Sequence, residues 1–269
     1  MSDITLKDLT PTTMTWFFKI LDERIRIVGK HFKKGIKKST VATYWSKLNS
    51  FFSWLKEKKL IPESPFAGMQ YPSPVYEDRK YLKREAVEKI LTAIWNHSTK
   101  ALLLKRNLVI FHILLFCGLR REELVLLQVR DINIERRMLT VRAETSKTPR
   151  TRYIPLNSKV ILHLKDYLNE RKRFTTQYLF VSNTRDDKLS YDGLHQLVAR
   201  IKCISNVKFH LHQLRHTFAV NFLNAGGDVA KLKQLLGHKD ISMTMIYLRC
   251  IPTYTMQRDV ENMNLDNFI

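Results

Sequence analysis

Apolar residues recur at three- and four-residue intervals through most of the chain, which predicts a largely helical protein. Met14, Phe17, Phe18, Leu21, Ile25 and Val28 line one face of a helix predicted from Pro11 to about Val28. Ser39 and Thr40 offer N-cap side chains to a second helix, whose apolar face carries Tyr44, Leu48, Phe51, Phe52 and Leu55. Between them, HFKKGIKK at 31–38 reads as a basic turn. Further along, 82–94 is amphipathic, 100–117 is apolar enough for a central helix, and 121–128 reads as another helix. The period then changes. Residues 138–143 and 151–156 have strand character, separated by the turn-like SKTPR at 146–150. Helical spacing returns at 158–169, 191–201, 212–223, 229–236 and 241–247. The expected fold class is mainly α with a small antiparallel β-sheet (α+β), neither a Rossmann alternation nor a barrel.

Prolines at 62, 65, 72 and 74 fall within 13 residues, a composition that neither a helix nor a central strand accepts. They divide the expectation into a helical N-terminal domain over 1–61, a linker over 62–79 and a second domain over 80–269, with 248–269 as its C-terminal tail. The 269 residues hold 46 Lys+Arg against 25 Asp+Glu, a formal net charge of +21. Residues 1–75 contribute +7 of this and the remainder +14, so both segments are basic. Such a chain calls for a polyanion, with nucleic acid ahead of an anionic membrane surface or a merely solvated surface. Three widely spaced cysteines (Cys117, Cys203, Cys250) exclude a disulfide framework and a CxxC zinc module, and suit a reducing compartment. No run of 18 apolar residues exists, and the N-terminus lacks a signal-peptide layout. A cytoplasmic, nucleoid-associated protein is the expectation.

The densest polar constellation lies in the last quarter. HQLRH at 212–216 opens a predicted helix and places His212, Arg215 and His216 within about one turn of each other. Leu235-Leu-Gly-His238 ends a short helix at a glycine suited to a C-cap, and Tyr247 follows nine residues later. Upstream, Gly118-Leu-Arg120-Arg-Glu-Glu123-Leu puts Arg120 at a helix start. His212 and His216 also have a spacing that binds zinc on a helix, with His210 nearby, but no cysteine follows at ligand spacing and Arg215 would sit beside the metal.

These segments resemble the boxes of the tyrosine recombinase (phage integrase) family: GLRREEL at 118–124, HQLRHTFA at 212–219, and LLGHKDISMTMIY at 235–247, in that order. SKTPRTRYIPL at 146–156 is similar to the family's lysine-bearing hairpin, and Thr43, Tyr44, Leu48, Phe51 and Trp54 resemble its core-binding helical domain. The resemblance covers nearly the whole chain. It implies a compact two-domain, site-specific recombinase with Tyr247 as nucleophile and a 3′-phosphotyrosyl intermediate that needs no cofactor, metal or ATP. Integration, excision and resolution through a Holliday junction all remain open.

The residue types suit that chemistry. Two guanidiniums, Arg120 and Arg215, would bind the non-bridging phosphate oxygens through rigid donor forks. His212 is the candidate base for the tyrosine hydroxyl, whose ordinary pKa is about 10, and His238 would donate to a non-bridging oxygen. The resemblance gives protonation of the leaving 5′-hydroxyl to Lys147, with Arg150 and Arg152 as neighbouring alternatives. Glu123 is expected to hold a basic side chain in place, and His216 to support the arginines or simply to cap and pack. Lys33, Lys34, Lys37, Lys38, Arg150 and Arg152 are candidate DNA contacts, the lysine run being equally readable as a solvated loop. The implied partners are double-stranded DNA sites and further copies of the chain, a dimer per site and a tetramer in synapsis, with the C-terminal tail docking in trans or in cis. No membrane partner is expected. A type IB topoisomerase, which would rejoin the same strand, shares the chemistry. A non-enzymatic DNA-binding module and a metal nuclease are the other readings.

Overall fold

The computed structural model describes residues 5, 8–29, 31–72, 81–98, 100–147, 149–182 and 185–251. The chain divides into two compact units, Met1–Glu77 and Asp78–Ile269.

In the first unit, α1 (Pro11–Glu23) starts where Thr10 accepts a hydrogen bond from the Thr13 amide and proline occupies the first turn. It stops earlier than its apolar spacing predicts. The β-branched run Ile25-Arg-Ile-Val instead forms β1 (Ile25–Val28), paired antiparallel with β2 (His31–Lys34), so part of the expected basic turn is a strand. The second helix, α2 (Lys38–Glu57), has Lys37 at its N-cap with no side-chain bond; Ser39 and Thr40 lie inside its first turn. Met14, Phe52 and Leu55 bury themselves around Phe66. Phe66 lies within the proline-rich stretch expected to be linker from 62, yet it is only 4% exposed. Its ring meets Phe18, Trp45 and Phe52 at centroid distances of 6.2, 5.2 and 5.8 Å, so this stretch closes the unit's core before the chain leaves it.

In the second unit, α3 (Arg84–His97) and α4 (Ala101–Phe116) lead into the short α5 (Arg121–Val125). Helix α4 is apolar nearly all round and buried along most of its length, packed by α3, by α6 (Ser158–Arg171) and by α8 (Leu211–Asn224). A three-stranded antiparallel sheet, β3 (Ile132–Asn133), β4 (Met138–Val141) and β5 (Arg152–Pro155), pairs in chain order, with Leu139 opposite Ile154 and Val141 opposite Arg152. Helix α7 (Tyr191–Ser205) follows α6, and α8 leads to α9 (Val229–Leu236) and the single turn α10 (Ser242–Met245). Among the described residues, no helix is long and apolar enough to cross a membrane.

Candidate active site

Two chain reversals and a helix cap bring the polar residues together. Gly118 has φ +61°, and a Cβ there would lie 2.3 Å from the Phe218 ring, so glycine alone lets α8 approach the turn before α5. Arg120 then caps α5: its amide donates to Glu123 Oε2 at 2.8 Å, and its guanidinium reaches Glu123 Oε1 at 3.0 Å and the Gly237 carbonyl at 3.3 Å. At the end of α9, Gly237 is left-handed (φ +63°) and turns the chain so that His238 faces α8.

Arg215, on α8, is 2% exposed. It donates to the carbonyls of Gly118 and Leu236, each at 2.7 Å, and to His238 Nε2 at 3.1 Å. It therefore ties the turn before α5 and the end of α9 to one helix. Burial, then the neighbouring charge of Arg120, pushes its guanidinium down to about 10, still protonated at neutral pH. Because Arg215 can only donate, His238 Nε2 accepts, and the ring proton sits on Nδ1, which gives it to Thr244 Oγ1 at 2.9 Å. Burial, then the charges of Arg215 and Arg120, lowers the His238 imidazolium to about 4, so the ring is neutral at pH 7.

Glu123 is the hub of the cluster. Its side chain is fully buried and accepts from Arg120, from Ser146 Oγ at 3.1 Å, and from both Nη atoms of Arg152 at 2.9 and 2.7 Å. Burial pushes its carboxyl up, but the bonds and charges of Arg152 and Arg120 outweigh this and hold it at about 2. Arg152 also donates through Nε to the Leu235 carbonyl at 2.8 Å. Arg152, a candidate DNA contact, is 8% exposed, on the face of β5 shared with buried Ile154, and its guanidinium is occupied inside the fold. Arg150 is exposed.

A cavity of about 850 Å³ opens beside this hub, its walls including Arg120, Glu123, Lys147, His212 and Arg215. Lys147 and His212 are both exposed, and the bond from Ser146 to Glu123 anchors the turn that carries Lys147. Tyr247 stands apart. It is 1% exposed, packed with Phe218, Ala219, Val220, Leu223, Leu232 and Leu236, and it does not line the cavity. Its ring lies 4.8 Å from that of buried His216 and stacks at 6.4 Å, 9° from parallel, on His238. Lys33, Lys34, Lys37 and Lys38 are exposed on the first unit. Among the described residues, no group of three or more His, Cys, Asp or Glu side chains is gathered as metal ligands would be. The C-terminal tail expected to dock on a neighbour lies, from residue 252 on, outside the described residues.

Two members of the cluster escaped sequence reasoning. Thr244 is fully buried and fixes the His238 tautomer; its place six residues after His238, in the same motif, was the available signal. Ser146 had none beyond its position next to Lys147.

Comparison with known proteins places these features in context. Residues 80–252 match the model of the phage integrase family. A tyrosine recombinase of Pseudothermotoga lettingae is 27% identical over 252 residues, covering 93% of this chain and 81% of that protein. The tyrosine recombinase XerC of Bacillus subtilis is 29% identical over 235 residues, covering 84% and 75%. Among solved structures, the Tn1549 transposon integrase in complex with a circular intermediate DNA superposes with a TM-score of 0.75 at 19% identity, over 97% of this chain and 88% of that one. The XerH site-specific recombinase bound to palindromic difH substrate gives 0.72 at 21% identity, over 95% and 73%.

Proposed function

The chain belongs to the phage integrase family of DNA strand-cleaving and rejoining enzymes, and from that premise we propose how its own residues cleave DNA at a specific site. The observation that carries the reading is the gathering of Arg120, Arg215, His212 and Lys147 on one cavity, with Tyr247 stacked on His238, which Arg215 holds.

The scissile phosphate enters the cavity, where the Arg120 and Arg215 guanidiniums bind its non-bridging oxygens and stabilise the charge that builds as it becomes five-coordinate. Tyr247 leaves its apolar pocket, and its hydroxyl oxygen attacks phosphorus. The tyrosine proton passes to His212, the P–O5′ bond breaks, and the departing 5′-oxygen takes a proton from Lys147. The product is a 3′-phosphotyrosyl diester, so attack by another DNA 5′-hydroxyl restores the strand without an external energy source. In the DNA-free state His238 Nε2 is an acceptor, so it becomes a donor to the phosphate either by moving its proton from Nδ1, with Thr244 then donating to that nitrogen, or by gaining a second proton. The phosphate's negative charge favours the second proton against the arginines that oppose it.

Exposed Lys33, Lys34, Lys37, Lys38 and Arg150 contact the DNA backbone, while Glu123 and His216 position the groups beside them. Two copies occupy each site and four form the synapse.

The test is a nicked suicide duplex carrying a site that the protein selects from random-sequence DNA. The expected result is a covalent protein–DNA band that survives EDTA and is absent with Tyr247→Phe. A band that persists in that variant, or that EDTA abolishes, overturns the mechanism.

A further inference from the structure

The hairpin formed by β1 and β2 has a side that the strand-cleavage chemistry does not use. Cross-strand pairing sets Ile25 opposite Lys34 and Ile27 opposite Phe32, so these four residues share one face, while Arg26 pairs with Lys33 on the other. Ile25, Ile27 and Phe32 are 70, 72 and 77% exposed. An isolated two-stranded ribbon is marginally stable in water, and three large apolar side chains on one of its faces call for a covering partner.

The base of the ribbon is fixed. Gly35, buried with φ +72°, donates its amide to the Arg24 carbonyl at 2.8 Å and accepts from Arg26 Nε at 2.7 Å. A Cβ at Gly35 would lie 2.7 Å from the Asp22 carbonyl oxygen at the end of α1, so the hairpin is seated tightly against that helix. The charge along this stretch is mostly of one sign: residues 24–56 hold nine Lys+Arg and no Asp or Glu, with Asp22 and Glu23 just before them at the end of α1. A predominantly basic frame around an apolar ribbon opposes self-association by charge repulsion and complements a polyanion. A major groove about 12 Å wide admits a two-stranded ribbon, and its thymine methyls offer apolar contacts to such a face.

We propose that this hairpin enters a groove of duplex DNA, with Ile25, Ile27 and Phe32 against base edges and Lys33 and Lys34 on the flanking phosphates. The hairpin thereby contributes to site selection, separately from the strand chemistry. The inference rests on the DNA-cleaving function above, but it assigns a role that function does not require.

The direct test places a photo-crosslinking benzophenone amino acid at Phe32 and irradiates the full chain with the DNA selected by the unmodified protein. Crosslinking to DNA bases is expected; crosslinking only to a second copy of the chain, with DNA bound, overturns the proposal and assigns the face to self-association. Ile27→Ser/Phe32→Ser is expected to lower the preference for the selected site over random duplex by about tenfold or more, through the loss of apolar contacts to thymine methyls. Lys33→Ala/Lys34→Ala is expected to reduce the log–log salt slope of binding by about 1.8, at roughly 0.9 per phosphate contact. Unchanged preference and slope in both pairs overturn the assignment even if Tyr247-linked adducts still form. Failure of every form of the protein to bind DNA would instead remove the function on which it rests.

Discussion

In the catalytic unit, Arg215 is 2% exposed and gives its N–H groups to two carbonyls and to His238, while Arg152 spends its fork on a buried carboxylate and a third carbonyl. In the N-terminal unit, Lys33, Lys34, Lys37 and Lys38 stand in solvent. On the proposed mechanism the contrast separates two uses of positive charge, with Arg152 serving to hold the site. A cation that stabilises a transition state has to be in place before the reaction, so the protein accepts the cost of burying it and offsets that cost with fixed acceptors. A cation that grips a backbone needs reach rather than fixity, and a long solvated side chain supplies it. The net charge of +21 therefore mixes two populations, and only the exposed one should govern salt dependence.

Substitutions can break this contrast. Arg152→Gln removes one partner of a buried pair and leaves the Glu123 carboxylate short of a cation; a loss of about 3–5 kcal/mol in urea unfolding is expected. Glu123 is held at about 2, below the usual carboxylate range, so its contribution to stability is present above about pH 4 and is lost as pH falls towards 2. In Arg152→Gln the folded-state carboxyl rises towards its unfolded value, so the loss between about pH 4 and pH 2 should shrink, which a pH series of urea midpoints would show. Arg215→Lys keeps the charge but not the fork, and should slow cleavage by about 10²–10³-fold while binding to DNA changes far less; single-turnover cleavage at saturating protein measures it.

His238 offers a smaller effect. Its folded-state pKa of about 4 lies below the usual value near 6.5, so the unfolded chain binds the extra proton and stability falls as pH drops from about 6.5 to 4. His112, lowered to about 4 chiefly by burial, contributes to the same slope. His238→Asn should flatten the slope by up to one proton; an unchanged slope would show that His238 does not titrate in this way. Smallest of all, Lys33→Ala/Lys34→Ala should leave folding stability within about 0.5 kcal/mol, because no buried partner is lost.

How far the sequence foretold this depended on what each signal measures. The order of the four motifs picks out Arg120, Lys147, His212, Arg215, His238 and Tyr247 as candidates, and five of these either line one cavity or bond directly to a residue that does. Burial was harder to read. Arg152 reads as a candidate DNA contact at the start of a predicted strand, although the two-residue period of β5 places it on the same face as Ile154. At Ile25 and Val28 helical spacing competed with a β-branched run, and the strand won because Gly29 (φ +63°) reverses the chain next to them. Phe66 was hidden by the prolines around it: proline excludes regular elements but does not exclude a side chain from a core. The withdrawn position of Tyr247 had no sequence signal at all, since it depends on how α8, α9 and the final turns pack.

That withdrawn tyrosine carries the central claim, and peptide mapping of the covalent adduct tests it most directly. Digestion of the trapped complex should yield one DNA-linked peptide, with the 3′ end of the cleaved strand on the Tyr247 oxygen. Attachment at any other residue, or through a DNA 5′ end, would contradict the account.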